Sequence, residues 1–356
     1  MTADTPSQSE TLNGQAAAFA GRRGRIALAH GGGGQLTDQL LQHHILPKLN
    51  NTVLGDLLDA GIVGRNPGRV ALTIDSYVVQ PLFFPGGDIG RLAVTGTVND
   101  LAVAGALPTG LALGLILEEG LETVVLDSVV SSISTAAEEA GVSVITGDTK
   151  VVGRGQADGM YVITAGIGRI PPGIQLHPAR LEPGDLLILT GAIAEHGLAV
   201  MLTRDMPEVK SQLRSDAAPL NIMLADILRH VPEIRFMRDP TRGGLAGLLT
   251  DLARQSGRRI VIEEALIPIK PEAQHAAAML GLDPLDIANE GKAVIVVPAD
   301  KSEYVLDLLR GNPNGLDACV FGHVAGDNDG LAEMWTHIGG RRLLQKPYGE
   351  QLPRIC

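Results

Sequence analysis

Residues 70–104 read VALTIDSYVVQPLFFPGGDIGRLAVTGTVNDLAVA, and this stretch predicts a strand followed by a long helix. The run Val70–Val79 is apolar and rich in β-branched residues, which favour strands. The helix is expected from about Ile89 to Ala104. Asp75 stands where the apolar strand ends, and the pair Asn99-Asp100 lies inside the helix. The stretch therefore carries candidate chemistry on two neighbouring elements.

Strands and helices alternate on both sides of this stretch and form two halves. In the first half we expect strand Arg25–His30, a helix from about Thr37 to Leu49, strand Gly110–Leu117, a helix from Glu122 to Ala140 that Gly141 ends, and strands Val142–Thr146 and Met160–Ile167 around the loop Gly147–Asp158. In the second half we expect strands Asp185–Thr190, Arg259–Glu263, Lys292–Val297 and Ala318–Val324, with helices near His196–Arg204, Pro219–His230, Pro271–Leu280 and Ser302–Arg310 and one from Thr241. The pattern predicts two α+β units with a boundary at Pro171-Pro172-Gly173.

The composition limits the class of protein. With 356 residues the chain is too long for one ordinary core, so two domains are the default. The net charge is −11 and there is no basic run, which argues against a nucleic-acid partner. Two cysteines fit a reducing compartment rather than a disulfide framework. Residues 1–24 are polar and hold no run long enough for a signal core or a membrane span, so we expect a cytoplasmic protein with a disordered N-terminal extension and no membrane contact.

Three aspartates in the first half have oxygen-rich neighbours: Asp75, Asp100 and Asp148. Such carboxylates suit Mg²⁺ that is bound jointly with phosphate oxygens. Asp148 belongs to the run Thr146-Gly147-Asp148-Thr149-Lys150, in which Lys150 could neutralise phosphate or act as an acid or base. The alternative is that each aspartate caps a turn or a helix, which is how most such aspartates are used.

Three further segments are candidate anion or catalytic sites. The glycine loop His30-Gly31-Gly32-Gly33-Gly34 could offer backbone amides to phosphate, or it could be a plain flexible linker, since it lacks the lysine of a P-loop. The run Asp239-Pro240-Thr241-Arg242 opens a predicted helix and would suit an anion, or it is an ordinary helix cap. Glu290 precedes a buried strand and is either a general base or a surface turn residue.

The sequence ends in Pro353-Arg354-Ile355-Cys356, so a thiol stands on the last residue. The prolines near the end disfavour helix, which predicts an extended segment. Roughly ten extended residues would carry the sulfur about 30–35 Å. The pattern is typical of a swinging arm that carries a chemical group, or of a frayed terminus with an incidental cysteine.

Together these motifs resemble the HypE family of hydrogenase maturation factors, in the superfamily of aminoimidazole ribonucleotide synthetase-like ATP enzymes. The resemblance runs from about Arg25 to Cys356. It rests on the glycine loop, on residues 81–90 (PLFFPGGDIG), 96–102 (GTVNDLA), 147–150 (GDTK), 239–244 (DPTRGG) and 289–292 (NEGK), and on the terminal PRIC. Related selenophosphate synthetases carry a reactive Cys or selenocysteine near the N-terminus, whereas no cysteine precedes Cys319 here.

The resemblance implies an α+β fold of the two-domain aminoimidazole ribonucleotide synthetase-like type. Its expected parts are a disordered extension at 1–24, an N-terminal α/β domain for ATP binding and dimerisation at 25–170, a C-terminal α+β sandwich at 171–340 and a mobile tail at 341–356. In the family, the N-terminal domains of a homodimer jointly form a β-barrel. The implied activity uses ATP and Mg²⁺ to dehydrate a carbamoyl group, carried as a thiocarboxamide on the terminal cysteine, to a thiocyanate that supplies cyanide ligands for [NiFe]-hydrogenase iron. The implied partners are the carbamoyltransferase HypF and the HypC–HypD complex.

The resemblance also implies roles for residues of this chain. Cys356 would be the covalent carrier. Lys150 and Glu290 would deprotonate and polarise the carbamoyl group, and the sequence does not show which of the two is the base. Metal contacts are implied at Asp75, Asp100 and Asp148, and nucleotide or phosphate contacts at these three and at His30, Gly31, Gly32, Gly33, Gly34, Asn99, Thr149, Asp239, Thr241 and Arg242.

Cys319 is expected to be a buried strand residue, and His43 and His44 are expected on the surface.

Two alternatives of different classes stay open. Another ATP enzyme of the same fold would turn over ATP with a free small substrate and leave Cys356 idle. A non-catalytic scaffold would bind nucleotide and present its tail to partners without hydrolysing ATP.

Overall fold

The computed structural model describes residues 28–49, 51, 53–64, 68–348 and 354–356. They form two α+β units, each built on one large sheet, in agreement with the predicted class. The expected extension at 1–24 lies outside the described residues, as do residues 25–27 of the predicted strand Arg25–His30. The described part of that segment forms a 3₁₀ turn at Leu28–Gly31, so the strand prediction was wrong there. The glycines that follow favour a turn because they constrain the backbone so little.

The helices are, in chain order, α1 (Gln35–Leu40), α2 (Leu46–Leu49), α3 (Ile89–Val103), α4 (Thr123–Ala140), α5 (Glu195–Asp205), α6 (Asn221–His230), α7 (Gly244–Ser256), α8 (Pro271–Leu280) and α9 (Ser302–Arg310). The strands are β1 (Gly61–Val63), β2 (Val70–Tyr77), β3 (Phe83–Phe84), β4 (Gly87–Asp88), β5 (Leu107–Glu118), β6 (Val144–Val152), β7 (Met160–Arg169), β8 (Leu186–Leu189), β9 (Phe236–Arg238), β10 (Ile260–Glu263), β11 (Val294–Val297), β12 (Cys319–Val324), β13 (Ala332–Trp335) and β14 (Arg341–Leu343). None of these described helices is both long and apolar enough to cross a bilayer.

The first sheet has the strand order β1-β2-β7-β5-β6. Strands β5 and β6 are parallel, and the other neighbours are antiparallel. Helix α3 covers one face and packs on β2 and β7, with α4 against its side. Helix α3 is buried nearly all round because it also packs against the second unit, which its Leu101 and Ala102 contact. Helix α3 therefore lies at the junction of the two units, and its polar residues lie at this junction.

The opposite face of the first sheet is exposed and apolar. Leu72 and Ile167 are direct cross-strand partners on this face, and Ile74 lies two residues further along β2. Their exposed fractions are 56%, 41% and 68%. We call this surface the open sheet face. Its strand β6 is exposed almost throughout, at the edge of the sheet.

The second sheet has the strand order β14-β13-β10-β12-β8-β11-β9 and is covered by helices on both faces. Strand β8 shows this arrangement, since Leu187 and Leu189 pack in the core that includes α5 and α7, whereas Ile188 packs in the core that includes α6 and α9. Strands buried on both faces are apolar at every position, and the sequence of β8 is LLIL.

Most predicted elements are present, with differences at their ends. Strand β6 runs on through residues 147–150, which the polar sequence predicted as a loop; an exposed edge strand tolerates polar and charged side chains. Helix α7 begins at Gly244 rather than Thr241. The tail was expected from residue 341, but Arg341–Leu343 forms β14 through pairing with β13, so the tail starts after that strand.

Candidate active site

Two of the predicted aspartates, Asp75 and Asp100, lie together where α3 packs on β2. Asp75 lies inside β2, on the face that α3 covers, and Asp100 lies near the end of α3. The hydroxyl of Thr97 donates to Asp75 Oδ2 at 3.0 Å, and that of Thr73 donates to Asp100 Oδ2 at 2.8 Å. Helix packing therefore brings together two carboxylates that are far apart in the sequence.

Burial raises the pKa of each carboxyl group here, and the groups raise one another's pKa further. The pKa of Asp100 lies well above its usual range because of burial first and then the charge of Asp75; that of Glu290 does so because of burial and then the charge of Asp239. Burial likewise raises the pKa of Asp75, and it raises the pKa of Asp239 to about 8. We call these four residues the acid cluster. Desolvated carboxylates are unfavourable unless protons or a cation neutralise them, and such perturbed groups are frequent in active sites.

Backbone contacts hold Glu290 in the cluster. Asn99 Nδ2 donates to the carbonyl oxygen of Glu290 at 3.0 Å, while its Oδ1 accepts from the amide of Leu220 at 2.8 Å. The carboxylate of Asp216 accepts from the amides of Glu290 and Gly291 at 3.2 and 3.1 Å. A Cβ at Gly291 would lie 1.9 Å from the carbonyl oxygen of Asp216, so only glycine fits. Asn99 thus positions Glu290, and its contact with nucleotide stays a prediction.

The glycine loop lies against the segment that precedes α7. Nη1 of Arg242 donates to the carbonyl oxygen of Gly31 at 3.2 Å. The φ of Gly33 is +71°, and a Cβ there would lie 2.8 Å from the Cβ of Arg242. The two predicted anion segments, residues 30–34 and 239–242, are therefore neighbours, as a shared phosphate site requires.

The last residue of the chain reaches the same place. The amide of Val78 donates to a backbone oxygen of Cys356 at 3.1 Å, and Ile355 is buried. The charge of Cys356 is the first cause that raises the pKa of Arg242, and the charges of Asp75 and Glu290 raise it further. The guanidinium therefore lies among the terminal residue and two members of the acid cluster.

The root of the tail is anchored separately. Nζ of Lys346 donates to Asp38 Oδ1 at 2.9 Å and to Asp251 Oδ2 at 3.1 Å, and little of its side chain is exposed. The amide of Gln35 donates to the carbonyl oxygen of Pro347 at 2.9 Å. Because Gln35 directly follows the glycine loop, the tail root and the start of α1 are held together.

Asp148, Thr149 and Lys150 do not join the cluster within this chain. Successive residues of a strand point to opposite faces, and the register places Asp75 on the helix-covered face but Asp148 and Lys150 on the open sheet face. Nζ of Lys150 lies 2.6 Å from Asp148 Oδ2, and both side chains are exposed. Thr149 is also exposed on the edge strand. A single chain therefore brings two of the three predicted metal ligands together.

The sequence did not indicate three residues near the site: His196 contacts the docked terminus, Ser215 contacts His196, and Asp216 contacts Glu290. An isolated histidine inside an apolar helix has no spacing pattern that would mark it. Cys319 lies on β12, as expected, but is only partly buried; its burial raises the thiol pKa to about 11. His43 and His44 are exposed, as predicted.

Family models match both units of this fold. The AIR synthase related protein N-terminal domain matches residues 58–170, and the C-terminal domain of the same family matches residues 182–333. The fold and the site at the junction of the units thus define the class as two-domain AIR synthase related proteins.

Individual relatives narrow the class. The carbamoyl dehydratase HypE of Azotobacter vinelandii is 44% identical over 335 residues, which are 94% of this chain and 98% of the relative. The crystal structure of a HypE in complex with ATP matches with a TM-score of 0.78 at 41% identity and covers 93% of this chain and 100% of that one. A chain of the crystal structure of a HypE–HypF complex matches with a TM-score of 0.82 at 38% identity and covers 86% and 99%. This chain belongs to the HypE family of carbamoyl dehydratases.

Proposed function

We propose that this chain carries a carbamoyl group as a thiocarboxamide on Cys356 and dehydrates it, with ATP, to a thiocyanate that supplies cyanide ligands for [NiFe]-hydrogenase iron. The observation that carries the proposal is the docked terminus. Cys356 pairs with Val78, three residues after Asp75, and its charge acts on Arg242 together with those of Asp75 and Glu290, so a group on the thiol would lie near the acid cluster. Family membership supports this class of activity.

The chemistry requires a poor leaving group to be made into a good one. Transfer of the γ-phosphoryl group of ATP to the carboxamide oxygen turns that oxygen into part of a phosphate. Cleavage of the carbon–oxygen bond releases phosphate, and loss of the two N–H protons leaves C≡N on sulfur. The thiocarboxamide and ATP thus become the thiocyanate, ADP, phosphate and a proton. Such a reaction needs held phosphates, a base near the amide and exclusion of water.

The acid cluster fits Mg²⁺, and the neighbouring segments fit phosphate. Its donors are carboxylate oxygens, which Mg²⁺ prefers, and their burial makes the ionised forms unfavourable without a cation. The described residues hold no group of three His, Cys, Asp or Glu side chains arranged for a metal, so Asp75 and Asp100 would share the ion with phosphate oxygens. The bound ion would neutralise phosphate charge. The glycine loop and Arg242, with Thr241 beside it, would hold the phosphates themselves.

Glu290 is the candidate base within the chain. Its buried carboxyl has a raised pKa, and a base works best when its pKa lies near the working pH. Lys150 lies on the open sheet face and would reach a site only from a second copy of the chain. The exposed apolar residues of that face support a homodimer formed through it. We therefore propose that Asp148 and Lys150 serve the active site of the second copy.

A mixing experiment tests this arrangement. Glu290→Gln and Lys150→Met each remove one partner and are expected to be inactive alone. If the two residues act across a dimer, an equal mixture refolded or co-expressed together regains about a quarter of the wild-type activity, because half of the dimers are mixed and half of their sites are intact. No recovery, with mixed dimers present by native mass spectrometry, would place both residues in the site of one chain.

The first test of the function is intact-protein mass spectrometry after carbamoylation by the partner transferase, before and after Mg²⁺-ATP. HypF is the expected donor, since a relative has been solved as a HypE–HypF complex; transfer of the product to HypC–HypD stays a prediction. We expect an adduct on Cys356 that loses one water only with ATP, and no adduct on Cys356→Ala. An adduct that never dehydrates would indicate a carrier or scaffold. Absence of any adduct on Cys356 would indicate a free small-molecule substrate instead.

A further inference from the structure

The last three residues pair with the chain that follows β2. The amide of Val78 donates to Cys356, and the amide of Gln80 donates to the carbonyl oxygen of Arg354, both at 3.1 Å, which is an antiparallel pairing. Nε of Arg354 donates to the carbonyl oxygen of Val78 at 2.9 Å, and its Nη1 pairs with Asp158. The φ of Arg354 is +53°, a conformation that persists in a non-glycine residue only where contacts hold it. The terminus therefore occupies a defined docked position.

His196, in the first turn of α5, contacts this segment through its ring. The ring is completely buried; Nε2 lies 2.6 Å from the carbonyl oxygen of Ile355, and Nδ1 lies 2.8 Å from Ser215 Oγ. A carbonyl oxygen only accepts, so Nε2 carries the proton and Nδ1 accepts from the Ser215 hydroxyl. Ser215 Oγ accepts in turn from the amide of Ala217 at 3.1 Å. Burial lowers the pKa of His196, which keeps the ring neutral as this arrangement requires.

The backbone before α5 fixes the direction of this ring. Ala194 is completely buried and has a φ of +74°, which is strained for a residue with a Cβ. Its amide donates to Asn289 Oδ1 at 2.7 Å, which holds the turn in place. Backbone strain of this kind clusters at functional sites. Because Asn289 directly precedes Glu290, the same loop orients the candidate base and the start of α5.

We propose that His196 is a positioning residue that holds the C-terminal carrier segment in the active site through the carbonyl group of Ile355. The proposal rests on the proposed function, because it concerns the segment that carries the carbamoyl group. When the tail leaves to be loaded, the Nε2 proton loses its acceptor beside the apolar ring of Phe84, whose centroid lies 5.5 Å from that of His196. In the docked state Ile355 is buried, and a buried carbonyl group without a donor is unfavourable, so the contact favours the docked tail by roughly 10- to 100-fold. Because His196 contacts a backbone carbonyl group and not the thiol, the contact holds the segment whichever group the sulfur carries.

Two substitutions of similar size separate this role from simple packing. His196→Phe keeps a ring but removes the donor, whereas His196→Gln keeps an N–H group near the position of Nε2. In a single turnover of carbamoylated protein at saturating Mg²⁺-ATP, we expect His196→Phe to dehydrate its adduct at least about 10-fold more slowly and His196→Gln to stay within about three-fold of wild type. ATP affinity should be unchanged in both, and loading by the transferase should be no slower than in wild type. Ser215→Ala, which removes the group that fixes the tautomer, should show the same change at smaller size and serves if the Phe variant does not fold.

The second readout is alkylation of Cys356 by iodoacetamide without nucleotide, followed by peptide mass spectrometry with Cys319 as internal control. We expect faster alkylation of Cys356 in His196→Phe than in wild type or His196→Gln. Equal rates in all three proteins, or Phe and Gln variants that dehydrate equally fast or equally slowly, would overturn the proposal. If even the wild-type adduct never dehydrates, the proposed function fails, and the alkylation rates still decide whether His196 holds the tail.

Discussion

Replacement of Asp239 by asparagine should change how the stability of the nucleotide-free protein depends on pH. The pKa of this carboxyl is raised from 3.8 to about 8, chiefly by burial. Between these values the folded protein keeps a proton that the unfolded chain has lost, so stability falls as the pH rises through the window. Each pH unit costs at most about 1.4 kcal/mol for one such group. The Asp239 carboxyl alone should therefore cost about 2 kcal/mol of stability between pH 6 and pH 8, and the loss in Asp239→Asn should be smaller than that in wild type by about this amount.

The measurement is urea unfolding at pH 6, 7 and 8 at constant ionic strength, without nucleotide. Asp300→Asn, whose carboxylate is exposed, is the matched control and should keep the wild-type slope. Addition of Mg²⁺-ATP should flatten the wild-type slope, because a cation bound at the acid cluster replaces the proton. Parallel curves for wild type and Asp239→Asn would refute the reasoning, since Asp239 would then hold no proton in this pH range.

Three other substitutions follow from contacts described above. Lys346→Met should remove the cation that Asp38 and Asp251 share, while Asp251 keeps its pair with Arg254, and should weaken the tail root by about 2 kcal/mol. Hydrogen exchange at the Gln35 amide should then rise roughly 30-fold, and unchanged protection would mean that this ion pair does not anchor the root. Asp286→Asn should raise stability near pH 7.5 by about 1 kcal/mol, because burial raises the pKa of this partly exposed carboxyl to about 6. Thermal unfolding should show that this gain vanishes towards pH 4. A gain independent of pH would contradict the explanation. Gly291→Ala should slow dehydration more than about 10-fold in folded protein, because the new Cβ would lie 1.9 Å from the backbone carbonyl oxygen of Asp216 and displace the loop that carries the candidate base. Near-wild-type turnover would contradict this and show that the loop can adjust.

The elements that sequence predicted best are those with local stop signals. Helix α8 begins at Pro271 and ends before Gly281, whose φ is +68°, so both ends are encoded by neighbouring residues. The sequence predicted too short a strand β6, because residues 147–150 are polar and were expected in a loop. Whether a polar segment can form an exposed edge strand depends on its neighbours in the sheet, which the local sequence does not show. Short strands such as β14 depend on pairing with distant residues and have no local signal of their own.

The sequence predicted which types of residue form the site, but not how these residues are arranged in space. Asp75 and Asp100 were marked by their polar neighbours, and helix packing brings them together. Asp148 carried the same kind of signal but lies on the other face, because strand register depends on pairing across the sheet. His196 was missed since its role depends on a segment that lies 159 residues away in the chain.

The anchored tail root sets the distance over which the thiol can be delivered. The chain is held as far as Tyr348, whose carbonyl oxygen accepts from the amide of Leu36 at 3.3 Å, and Cys356 follows eight residues later in the sequence. Eight residues at full extension span about 26–29 Å. Any protein that loads or unloads the sulfur must therefore bring its own catalytic centre inside a sphere of that radius around Tyr348. A partner whose catalytic centre lies further away could meet the sulfur only after release of Lys346 from Asp38 and Asp251.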